Sequence, residues 1–77
     1  MSDELILWAF AFGEWQPFQH GPDADAVRES GAPLVEWDAR VDRWRARIGV
    51  AAASFGDLDT ARAWVEDYES AMRRRWL

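Results

Sequence analysis

Any chemistry in this 77-residue chain must start from one histidine and 14 carboxylates. His20 lies between Glu14 and the pair Asp23 and Asp25, all residue types that hold divalent cations. No HExxH or EF-hand spacing accompanies them, so His20 reads as a solvent-facing loop residue and no metal site is expected. Carboxylates also recur as close pairs: Glu36/Asp38, Asp57/Asp59 and Glu66/Asp67. Acid–base catalysis needs such groups in a cleft with shifted pKa values. Glu36 and Asp38 instead fall two apart on the solvated face of a predicted strand, and Asp57 and Asp59 suit the positive start of a helix.

Nucleophilic chemistry is equally unsupported. Ser2, Ser30, Ser54 and Ser70 have no legible His/Asp context, and no glycine-rich phosphate loop occurs. Cys is absent, which removes thiol catalysis, disulfides and cysteine-ligated zinc. The expectation is a non-enzymatic chain without a cofactor.

Two features speak for binding. Arg40, Arg43, Arg45 and Arg47 form a basic stripe that could meet nucleic acid or an acidic protein, or could simply keep a sheet face soluble. Six tryptophans (Trp8, Trp15, Trp37, Trp44, Trp64 and Trp76) are spread along the chain. A domain this small cannot bury them all, and tryptophan is enriched at interface hot spots. Trp37, Trp44 and Trp64 are assigned to the core by their period. Trp15 and Phe18, in a predicted loop, and Trp76, after the last helix, are the expected partner anchors. Their alternative role is to fold back over a small core.

Charge points to the class of partner. The net charge is −5. Residues 1–39 carry eight acidic side chains and one Arg, a balance of −7; residues 40–77 carry six against eight, a balance of +2. An acidic chain is a poor general binder of DNA, whose affinity rests on neutralising phosphates. It suits a basic partner, with Glu14, Asp23, Asp25 and Glu29 as the contacting acids. All nine basic residues are Arg and Asn is absent, a coding bias that weakens any functional reading of Arg over Lys.

The elements that must carry these residues follow from hydrophobic period. Residues 5–12 (LILWAFAF) read as a strand buried on both faces, bulky at Ile6, Trp8, Phe10 and Phe12. The smaller odd face leaves room for a helix or a partner. Residues 15–18 form an irregular edge or loop, because Pro17 cannot donate to a ladder. Residues 23–30 suit a short helix between Pro22 and Gly31.

Residues 34–48 are read as a hairpin turning at Asp42-Arg43, pairing Val41 with Trp44, Ala39 with Ala46 and Trp37 with Ile48. A competing helical seam runs through Trp37, Val41, Trp44 and Ile48. Residues 50–55 make a further strand. A C-terminal helix, capped by Asp57 or Asp59, runs to about Arg74 on the seam Leu58, Ala61, Trp64/Val65, Tyr68 and Ala71/Met72.

The expected fold is one α+β domain over residues 1–77. A small antiparallel sheet of three or four strands packs against the C-terminal helix, with a short second helix as an option. No signal peptide or membrane-length apolar run is seen, so the default location is the cytoplasm. The expected function is a small acidic protein-interaction module of the kind phages and mobile elements use to block basic nucleic-acid-handling machinery. The alternatives are a nucleic-acid-binding domain using the arginine stripe, and a structural subunit or homodimer using the odd face of residues 5–11.

Overall fold

The computed structural model describes residues 6–19 and 21–75. Large and small apolar side chains alternate in β1 (Leu7–Ala11), so both of its faces can be covered. A turn at Phe12-Gly13 leads to β2 (Glu14–Phe18). Then come α1 (Pro22–Ser30), β3 (Leu34–Asp38), β4 (Arg43–Ile48), β5 (Ala51–Phe55) and α2 (Leu58–Arg75). The strands form one antiparallel sheet in the order β2-β1-β3-β4-β5.

The α+β class holds, but the sheet has five strands rather than three or four. The extra strand is β2. In its register Glu14, Gln16 and Phe18 bond to β1, and Trp15 and Pro17 point their backbone groups outward. Pro17 therefore lacks an N–H only where none is needed, and an edge strand tolerates it.

The two helices lie on opposite faces. On one, α2 buries Ala61 and Val65 against Phe10, Val35 and Ala46, with Trp15, Trp44, Phe55, Leu58 and Trp64 packed around them. On the other, α1 buries Ala24 against Leu7, Ala9 and Leu34, with Phe18 and Val27 alongside. The odd face of β1 is thus closed by α1, which removes it as a surface for a second subunit. Pro22 in the first turn and the left-handed Gly31 delimit α1.

Residues 34–48 do form a hairpin, in a different register. Its loop is residues 39–42, and the pairs are Asp38 with Arg43, Trp37 with Trp44, Glu36 with Arg45 and Val35 with Ala46. Asp38 Oδ1 accepts the Arg40 N–H at 3.0 Å, and Asp42 takes the left-handed conformation at φ 56°. These two aspartates build a four-residue loop where a tight turn at Asp42-Arg43 lacked suitable residues. The observed register also sets acids opposite arginines, whereas the expected one set Arg40 against Arg45. Ala39 and Val41, expected inside, are exposed in the loop.

No described tryptophan is fully buried; the largest fully buried side chains are Leu7, Leu34, Val35 and Val65. The indoles close the margins of the core. Trp37 and Trp44 meet edge-on at 5.3 Å, and Trp15 tilts on Phe10 at 4.8 Å. Arg62 of α2 stands over both Trp8 and Trp15, 5.1 and 5.3 Å from the ring centres.

Asp57 starts α2. Its carboxylate accepts the Thr60 N–H and the Thr60 hydroxyl, each at 2.8 Å. Glu69 and Arg73 pair one turn apart near the other end. The expected seam holds through Val65, but Tyr68, Ala71 and Met72 are exposed. At about 1.5 Å per residue the helix outruns strands of this length by roughly 10 Å, so its last turns lack a sheet beneath them.

Candidate functional site

In each of the three carboxylate pairs at least one member is held in a structural contact. Glu36 Oε2 accepts Arg28 Nε at 2.8 Å. Asp38 faces Arg40 at 3.5 Å and Arg45 at 3.7 Å. Asp57 caps α2, and its hydrogen bonds from the Thr60 backbone and hydroxyl hold its pKa below the usual carboxylate range. Glu66 accepts from Trp15 Nε1 at 3.4 Å. Among the described residues no three potential ligands gather as a metal site, and no helix is long and apolar enough to cross a membrane. His20 and Trp76 lie outside the described residues.

The sequence-derived partner residues divide between the two faces. Glu14 shares its face of the sheet with Gln16 and Phe18, the side that carries α1. Asp23, Asp25 and Glu29 are exposed on α1 itself. These four acids therefore lie on the α1 side of the molecule and make it the acidic ridge, with Asp23 and Asp25 on opposite flanks of the helix. Arg28, the one basic residue of α1, bonds Asp25 at 2.8 Å and reaches in to Glu36. Trp15 lies on the other face, half-buried beneath α2, and Phe18 is half-buried beneath α1. The two aromatics expected to anchor a partner thus help to lid the core.

Among the described residues the most exposed aromatic is Phe12. It was read as the last bulky position of a strand, yet the strand ends at Ala11 and Phe12 occupies the turn. Its relative exposure is 102% and its φ is 53°. Gly13 follows at φ 77°, so both central residues of the two-residue turn are left-handed, the type I′ geometry that favours Asn-Gly. Gly13 accepts this conformation without strain. A bulky ring in it is an outlier costing about 1–2 kcal/mol. The signal lay in the run itself, in which Phe12 stands directly before Gly13. Phe12 is two residues from Glu14, at the border of the acidic ridge.

The arginine stripe is arranged differently from the acids. Arg43, Arg45 and Arg47 alternate on β4 and share one face; Arg40 sits in the preceding loop. That face is the α1 side, where the apolar contacts of α1 reach β1, β2 and β3 and Arg47 of β4 meets its last turn. The β4–β5 half carries the three arginines with Ala52 and Ser54 beside them. A hollow of about 160 Å³ there is lined by Leu34, Glu36, Arg45, Arg47 and Ala52. Arg47 Nη2 donates to the Arg28 carbonyl at 2.9 Å, and Arg43 Nη2 to the Ser54 carbonyl at 3.3 Å.

One side of the molecule thus bears an acidic ridge next to a basic half-sheet. No protein-family model, no curated protein and no solved structure matches the chain.

Proposed function

We propose that this chain is a non-enzymatic protein-interaction module that docks on a basic surface of another protein. Phe12 carries this reading. A fully exposed ring on a strained backbone does nothing for the core, and strain of this kind collects where a contact is made. In the proposed complex Phe12 is the apolar anchor, and Glu14, Asp23, Asp25 and Glu29 supply the charge that steers and orients the partner. Small size and a net charge of −5 support a cytoplasmic inhibitor or regulator of the type phages and mobile elements direct at nucleic-acid-handling proteins.

The test is capture of the tagged protein's partner from host lysate after nuclease treatment, at low and high salt. The wild type is compared with a triple reversal of Glu14, Asp25 and Glu29 to Lys. A stoichiometric basic protein, lost from the triple variant, supports the reading. Equal capture by both proteins contradicts it.

A second reading rests on the arginine row of β4, in which Arg43 and Arg45 are exposed and Arg47 is half-buried. Three cations on one strand face could contact nucleic acid, with affinity that falls steeply as salt rises. A flat titration against duplex and single-stranded DNA at low salt excludes it.

A further inference from the structure

We propose that the outer edge of β5 accepts an extended acidic peptide segment as a sixth strand, whose alternate Asp or Glu side chains meet the arginines of β4. This surface is separate from Phe12 and the acidic ridge, so the two readings stand or fall independently.

The two edges of the sheet are not alike. At β2 the outward positions are Trp15 and Pro17, and Pro17 has no N–H to offer a newcomer. At β5 the two-residue turn at Gly49-Val50 makes Ile48 and Ala51 a bonded pair, so bonding alternates through Ala53 and Phe55. Ala52 and Ser54 therefore point their backbone groups outward. The strand is AAASF, with no charge, no proline and no bulge to deter pairing. Among the described residues no strand lies beyond it.

The side chains next to this edge select the newcomer. On the α1 side of the sheet, β5 contributes only Ala52 and Ser54, which are small enough for the arginines of β4 to reach across. Arg43 already does so, since its guanidinium meets the Ser54 carbonyl. An incoming backbone N–H takes that carbonyl and releases the guanidinium to a carboxylate. Glu36 does not satisfy the row, because Arg28 holds it; Asp38 meets Arg45 only at 3.7 Å and Arg47 bonds the Arg28 carbonyl, so the exposed Arg43 and Arg45 are the cations nearest a newcomer. Strand residues two apart share a face, so acids at alternate positions match the spacing of Arg43, Arg45 and Arg47.

A second copy fits less well. Pairing β5 with β5 would set two arginine rows about 14 Å apart on one sheet face, with only Ala and Ser between them. Neither row offers the other an opposite charge. An acidic strand instead meets the row with opposite charge.

The test uses the full chain and two short capped, fluorescent peptides: one alternating Glu with Val, the other Lys with Val. Binding is read by anisotropy at low salt and by amide NMR. The Glu peptide should bind saturably, shift the Ala52 and Ser54 amides most, and outbind the Lys peptide at least tenfold. Ala52→Pro removes an outward N–H without touching the β4 ladder and should weaken binding at least tenfold. The double variant Arg43→Gln/Arg45→Gln should do the same with the fold intact, and it decides the matter if the proline variant fails to fold. Equal binding of both peptides overturns the proposal. So does full binding by Ala52→Pro, which would mean contact by charge alone. Self-association abolished by Ala52→Pro would make a second copy the occupant. Single-stranded DNA that binds equally well without shifting the β5 amides would make the row a nucleic-acid surface.

Discussion

Arg28 Nε donates to Glu36 Oε2 at 2.8 Å and ties α1 to β3. Both side chains are about three-quarters withdrawn from water, so the bond is worth more than an open surface pair. It also fixes how far α1 extends across the sheet. The apolar packing of the helix stops at β3, which leaves Arg43 and Arg45 of β4 exposed.

A double-mutant cycle with Arg28→Ala and Glu36→Gln should therefore give a coupling energy of about 1 kcal/mol in urea denaturation, falling with added salt. A coupling indistinguishable from zero would mean that α1 is held by Ala24, Val27 and their apolar neighbours alone.

Arg62 stands over two indoles, Trp8 and Trp15. Arg62→Ala should lower stability by about 1–2 kcal/mol, and Arg62→Lys by less, since an ammonium keeps the attraction of a cation for the rings and loses only the flat stacking. Tryptophan emission should change in both variants. Unfolding midpoints equal to wild type would show that the two ring contacts contribute nothing.

Asp57 gives a pH signature. Its pKa is lowered in the folded chain by its bonds from Thr60. Its contribution is therefore present above the ordinary carboxylate range and is lost as pH falls through the lowered value. Asp57→Ala should melt below wild type at neutral pH. That difference should shrink in acid and vanish once Asp57 is protonated. A difference that persists unchanged at the lowest pH would assign the loss to something other than the carboxylate cap.

Much of this architecture was legible because period and punctuation agreed. Pro22 and Gly31 bracket α1, Asp57 caps α2, and strict alternation separates β3 and β4 from the helical seam through the same residues. The hairpin register was not legible from alternation alone. Shifting the pairing by an even number of residues keeps every side chain on its face, so turn chemistry decided it through Asp38 and Asp42. The sequence points to an exposed Trp15 because residues 15–18 read as an irregular edge or loop. Once Pro17 points outward the segment becomes an edge strand, and the indole turns in under Arg62. Phe12 was hidden for the opposite reason: its apolar character continues the β1 pattern by one residue past the point where the chain turns. The four acids of the ridge were visible as residues, but their common side depends on α1 packing over β1.

The most direct measurement is Phe12→Asn, scored for stability and for partner capture in one experiment. Asn-Gly is the favoured pair for this turn, so relief of strain should stabilise the fold by about 1 kcal/mol, or roughly 4–8 °C in Tm. The same variant should lose the captured partner. A more stable protein that binds less well is the result expected of an anchor kept for contact. A variant that captures its partner as well as wild type would contradict the role given to Phe12.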